Sequence, residues 1–242
     1  MDIQTRDGVA DSYLVRPPGD GPFPGVLLFM DAFGLRPRLE EMADRIAERG
    51  YAVLVPNLFY RFGRTPLVDL AGMSDPDRRG EIFGTVMPMI QDLSRDKVIS
   101  DTESYLDALG TEAVVAVGYC MGGRNALVAA EGHPDRIKAV ASFHAGGVVT
   151  DQPDSPHLHV AALAGSTELY FGHADNDRSM TADNIKALEA ALDDAGVTYT
   201  SELYPGAPHG FTMSDTAMYH EEGEKRHWMR LFELLDRVHP AG

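Results

Sequence analysis

The chain has 242 residues, 44% of them hydrophobic and 24% charged, with one cysteine and one tryptophan. That apolar fraction can fill a sizeable core, so a disordered or collagen-like chain is excluded, and a lone cysteine cannot close an internal disulfide. The 21 Lys and Arg residues against 37 Asp and Glu give a formal net charge of −16, which repels nucleic acid and anionic lipid.

Residues 1–7 contain acids and no apolar run, unlike a secretory signal, and no stretch approaches the roughly 20 apolar residues of a membrane span. A cytoplasmic, soluble protein is expected. In chain order, Ser12 to Arg16 predicts an edge strand, and Gly25 to Met30 is a short continuous apolar run of the kind buried on both faces of a sheet. Leu39, Met42, Ala43, Ile46 and Ala47 recur at helical spacing, with Gly50 where a helix-terminating glycine belongs. Tyr51 to Val55 predicts the next buried strand. Residues 57–80 are rich in Arg, Pro and Gly and predict a long loop, which in a compact domain usually serves function.

Helices are expected around 81–93 and 97–109. Ala113 to Val117 then predicts a strand, Gly122 to Ala130 a helix, Ile137 to Phe143 a strand, and Glu168 to Gly172 another strand. A helix near 182–194, a strand over Thr198 to Tyr204 and a helix around 221–238 close the chain. Alternating strands and helices imply an α/β fold, a mostly parallel sheet with helices on both faces. No repeat or linker interrupts it, so residues 1–242 are expected to form one domain, with ligands bound at the carboxyl ends of the strands.

Between the strand at 113–117 and the following helix lies Gly118-Tyr119-Cys120-Met121-Gly122-Gly123. This G-x-C-x-G is the thiol form of the nucleophile elbow, whose apex residue is held above the sheet in a strained turn. Glycines two before and two after remove the β-carbons that would clash as strand and helix close together. The backbone N–H of Met121 can then stabilise an oxyanion. The competing reading is a buried structural cysteine beside a glycine-rich turn. The strand before it and the helix after it supply the context that a nucleophile elbow requires.

A nucleophile of this kind needs a base and a third group to orient it, in the chain order nucleophile, acid, histidine. Of nine histidines, His209 lies in the turn-rich segment Tyr204 to Phe211 after the last strand, where the base is expected. His220, His227 and His239 fall in or near the last helix and are expected at the surface. Two aspartates compete for the acid. Asp175 ends a G-x-x-D turn that begins at Gly172, while Asp177 lies two residues further out; turn position favours Asp175. His157 and His159 lack further ligands at metal spacing, so no metal or other cofactor is expected. His144 follows a strand end and is a candidate for the pocket wall, as is the aromatic segment Phe59 to Phe62.

These residues resemble the dienelactone hydrolase family of α/β-hydrolases, over nearly the whole chain. The likeness is strongest at the elbow, at Tyr204-Pro205 with His209-Gly210-Phe211, at Pro56-Asn57-Leu58-Phe59 and at the Gly172 to Asp175 turn. The resemblance implies an α/β-hydrolase fold, a Cys120, His209 and Asp175 triad, and hydrolysis of an enol-lactone. It also implies that Asp31, where the family type has glutamate, contacts the resting thiol, and that the N–H of Ala32 is the second oxyanion donor. Two arginines hold the substrate carboxylate in this family. One position is occupied here by Met213; for the other, Arg78 or Arg79 could serve, with Tyr119 beside the nucleophile as a further pocket candidate. The loss at Met213 implies tolerance of neutral substrates.

The expected partner is thus a small ester or lactone, and no motif specifies an oligomeric state. The alternatives are another enzyme on the same fold, such as a thioesterase or lyase, and a non-catalytic binding protein. A complete set of elbow, acid and histidine in order makes the last the weakest.

Overall fold

The computed structural model describes residues 1–73 and 75–239. Eight strands form one sheet: β1 (Asp2–Gln4), β2 (Val9–Val15), β3 (Gly25–Phe29), β4 (Ala52–Pro56), β5 (Val114–Tyr119), β6 (Ile137–Phe143), β7 (Glu168–Ala174) and β8 (Tyr199–Tyr204). Their order across the sheet is β1-β2-β4-β3-β5-β6-β7-β8. From β4 to β8 all neighbours are parallel; β2 runs antiparallel to β4 and β1 antiparallel to β2. The strand expected at the edge from Ser12 to Arg16 is β2, but it is not the edge: β1, too short to leave a pattern, pairs outside it.

The three apolar runs become β3, β4 and β5, buried along their whole length because helices cover both faces. Six helices do this: α1 (Pro37–Ala47), α2 (Pro76–Asp92), α3 (Arg95–Leu109), α4 (Met121–Gly132), α5 (Ala182–Ala195) and α6 (Glu221–Val238). The apolar stripe predicted for the first helix is the buried face of α1, Leu39, Met42, Ala43, Ile46 and Ala47. Left-handed glycines end α3 and α5 at Gly110 and Gly196. The helix predicted at 81–93 begins earlier, at Pro76, because Asp75 accepts hydrogen bonds from the N–H groups of Asp77 and Arg78 and caps it.

This arrangement places the ends of β3, β5, β7 and β8 side by side. The turns that follow them carry Asp31, Cys120, Asp177 and His209, residues up to 178 positions apart in sequence but neighbours in space. No helix among the described residues is long and apolar enough to cross a membrane.

Candidate active site

Cys120 sits between β5 and α4 with φ 56° and ψ −121°, a conformation an L-residue adopts only when its surroundings enforce it. The neighbouring glycines enforce it. A Cβ on Gly118 would run into the carbonyl of Gly122, and one on Gly122 into the carbonyl of Phe29. Only backbone without side chains lets α4 descend this close to β3 and β5. Cys120 N–H donates to the Phe143 carbonyl at 3.1 Å, fixing the turn to the next strand.

The thiol faces the imidazole expected as its base: Cys120 Sγ lies 3.1 Å from His209 Nε2. The other ring nitrogen, Nδ1, lies 2.6 Å from Asp177 Oδ2. The expectation that Asp175 would orient His209 is corrected here. Asp175 follows directly on β7, and its Oδ2 accepts from the N–H of Gly206 at 2.9 Å while its own N–H donates to the Ala207 carbonyl. It ties the acid turn to the histidine loop. Asn176 then adopts φ 53°, reverses the chain and brings the Asp177 side chain, 4% exposed, round beneath His209. An asparagine between two aspartates was the available signal, since Asn tolerates the left-handed region. The second oxygen of Asp177 accepts from the N–H and hydroxyl of Ser179.

Burial opposes the charge on His209, but its hydrogen bonds to Asp177 and Cys120 outweigh it and push the imidazole up to about 10. Burial likewise raises Asp177, yet its bonds to His209 and Ser179 leave it below the ordinary carboxylate value. The pair is thus poised as carboxylate and imidazolium beside the sulfur.

Asp31 does not meet the thiol, correcting that expectation. Its carboxylate is taken by Arg36, at 2.7 and 2.9 Å, and by the N–H of Phe33. Arg36 also binds Asp215 and reaches the sulfur of Met213 at 3.5 Å. Arg36 was not anticipated, because it stands in an unpatterned turn before α1 and its partners come from opposite ends of the chain. Ala32 and Met121 flank Cys120 on its two sides, with backbone N–H groups that engage no acceptor among the described residues.

Two cavities meet at Cys120 and His209. The first, about 550 Å³, is walled by apolar side chains including Phe33, Phe83 and Met213, with Asp31, Arg79 and His144 also on its surface. Phe33 and Phe83 make an edge-on ring contact across it. His144 is buried, bonded through Nε2 to the Thr212 hydroxyl at 2.8 Å; burial and the nearby His209 hold it far below the usual imidazole value, so it is a neutral wall. Arg78 turns away to Glu81 and the Ala71 carbonyl. Tyr119 does not line either cavity: it is fully buried, and its hydroxyl pairs with His227 Nε2 at 2.9 Å. His227, expected at the surface, is buried because the apolar stripe of α6 packs on the sheet at that point. Of the segment Phe59 to Phe62, expected as pocket wall or in part as core, Phe59 and Tyr60 belong to the core, Phe62 is exposed, and none lines either cavity. No metal-ligand cluster occurs among the described residues.

Residues 10–239 match the sequence profile of the dienelactone hydrolase family. The chain is 27% identical to a carboxymethylenebutenolidase of Rhodococcus opacus over 221 residues, 90% of this chain and 82% of that protein. It is 26% identical to a Synechocystis protein assigned as a carboxymethylenebutenolidase over 232 residues, 92% of this chain and 89% of that one. A crystal structure from Klebsiella pneumoniae, assigned to the dienelactone hydrolases, superposes with a TM-score of 0.82 at 23% identity, covering 96% of this chain and 95% of its own, which shows the shared fold.

Proposed function

The chain belongs to the dienelactone hydrolase family and is a hydrolase, and from that premise we propose that it cleaves small lactones or esters through a thioester on Cys120, with His209 and Asp177 completing the triad. The observation that carries the reading is the continuous chain Cys120 Sγ to His209 Nε2 at 3.1 Å and His209 Nδ1 to Asp177 Oδ2 at 2.6 Å.

In this mechanism His209 Nε2 holds the proton of the Cys120 thiol while the sulfur adds to the substrate carbonyl carbon, and the carbonyl oxygen becomes an oxyanion that accepts from the N–H groups of Met121 and Ala32. As the carbonyl re-forms, the C–O bond to the leaving group breaks, and His209 gives that oxygen its Nε2 proton. A lactone's leaving oxygen stays on the acyl chain. Water then attacks the thioester while His209 takes its proton, and the sulfur leaves as the carboxylic acid forms. Asp177 holds the ring so that Nε2 faces the sulfur throughout, and its carboxylate stabilises the imidazolium.

The apolar wall of the first cavity suits a neutral substrate body. Met213 offers no charge, and the Arg36 guanidinium beside it is already taken by Asp31 and Asp215. The test is hydrolysis of p-nitrophenyl acetate by the wild type and by Cys120→Ala, with circular dichroism as the control for folding. Loss of turnover in a folded variant is expected; a folded Cys120→Ala with wild-type rate excludes the thiol mechanism.

A further inference from the structure

The second cavity, about 710 Å³, shares Cys120 and His209 with the first, and the reaction as described leaves it without a role. Its wall is built differently. Arg124 lies on α4 four residues after Cys120, so it stands one helical turn below the nucleophile. Its side chain is partly buried, its stem near Gly147, and among the described residues no hydrogen bond or ion pair within 4 Å engages its guanidinium. Arg178, exposed on the rim directly after the triad aspartate, has no such partner either.

Most other arginines of this protein are bound to carboxylates: Arg36, Arg38, Arg61, Arg95 and Arg230 all are. A guanidinium partly screened from water and without a protein partner is free to take a charge-assisted bond from a bound anion. Burial lowers the Arg124 value, with the charges of Asp154 and Glu131 pulling the other way. The carboxylates in reach offset at most one of the two cations, through Asp154. Asp177 is committed to His209 and Ser179, Glu131 to Arg95, and Asp154 stands exposed on the wall without an ion pair. On the side of the first cavity, by contrast, the carboxylates Asp31 and Asp215 are both bound by one arginine, Arg36.

We propose that the second cavity is an anion subsite, in which Arg124 and Arg178 receive a carboxylate carried by the ester while the apolar part of the same molecule occupies the first cavity, with the scissile carbonyl at Cys120 between them. This inference deepens the ester hydrolase reading and rests on it. It names the substrate class: esters with one apolar half and one half ending in a carboxylate. It also explains how a chain of net charge −16 could hold an anionic substrate, through a local pair of cations and not through its overall field.

The experiment compares three probes: p-nitrophenyl butyrate, which is neutral; mono-p-nitrophenyl glutarate, with the carboxylate on the acyl half; and 4-butyryloxybenzoate, with it on the leaving half. For wild type, Arg124→Gln and Arg124→Lys, the quantity read is kcat/KM for each carboxylated probe divided by that for the neutral one. A charge-assisted contact predicts that this ratio falls roughly ten- to hundred-fold in Arg124→Gln for one carboxylated probe and recovers substantially in Arg124→Lys. The probe affected tells which half enters the cavity. Ratios that stay put in both variants overturn the subsite, as does a fall that Arg124→Lys fails to reverse.

Alkylation separates this inference from the hydrolase reading, because it needs no turnover. The rate of Cys120 modification by iodoacetate relative to iodoacetamide should drop in Arg124→Gln. A wild type that hydrolyses none of the three esters contradicts the hydrolase reading, and the alkylation ratio then decides the subsite, an unchanged ratio overturning it.

Discussion

At the scale of single residues, two aspartates two positions apart do different work. Asp177 orients His209, and Asp175 holds two loops together through Gly206 and Ala207. Asp177→Asn should therefore reduce turnover by about 10² to 10⁴, the upper value being that of serine triads, whereas Asp175→Asn should leave most of it. A second readout is the His209 ring. Its protonated form is favoured by Asp177, so NMR titration should show no midpoint between pH 6 and 8 in the wild type and a clear fall from about 10 toward the ordinary 6.5 in Asp177→Asn. The sign for stability follows. A histidine raised in the folded state stabilises fully below about pH 6.5, and that contribution fades as pH rises through about 10. An Asp175→Asn enzyme worse than Asp177→Asn would contradict the assignment. The sequence showed the thiol and the histidine because elbow glycines and loop position are local signals. It favoured the wrong aspartate, since turn position pointed to Asp175, and the choice turns instead on the tolerance of Asn176 for the left-handed region.

Among elements, the elbow depends on how closely α4 approaches β3 and β5. Gly122→Ala would set a methyl group against the carbonyls of Phe29 and Met30, and neither backbone can retreat inside a sheet buried on both faces. It should cost about 1–3 kcal/mol or more in urea unfolding and also displace Cys120. Gly84→Ala, with open space around its Cβ, is the matching control and should be close to neutral or mildly stabilising, as Ala favours helix. Equal effects at the two glycines would contradict the close-approach argument. The elements were largely legible: β3, β4 and β5 as apolar runs, and α1 and α6 as periodic stretches. Helix starts were less so, because the caps at Asp75 and Ser94 sit in segments whose composition suggests loop. What the sequence hid were partnerships between distant elements. Asp31 looked available to the thiol, but Arg36, which also binds Asp215, claims it.

Across the whole molecule, helices are fastened to one another at a few buried charges. Glu131 of α4 is buried and bound to Arg95 at the start of α3. Burial pushes its carboxyl up to about 7, and Arg95 pulls against that shift. An acid raised in the folded state loses stabilising effect as pH climbs from its ordinary 4.5 through about 7, where the buried carboxylate ionises. Arg95→Met should accordingly cost about 3 kcal/mol at pH 8, where Glu131 would be charged and alone, and much less at pH 5, where it carries a proton. Urea unfolding at the two pH values checks this, and an equal loss at both would show that the pair does not set the stability. The net charge of −16 sets the field of the whole chain, but it gave no hint that two arginines line a cavity beside the nucleophile.

The central claim is that Cys120 carries the acyl group during turnover. The direct measurement is rapid acid quenching during hydrolysis of p-nitrophenyl butyrate, followed by mass spectrometry of the intact chain and its peptides. The account expects one butyryl group on the peptide containing Cys120, appearing within the first turnover and absent from Cys120→Ala. Steady hydrolysis by wild type and Cys120→Ala alike, with no acyl group on Cys120 at any quench time, would contradict it.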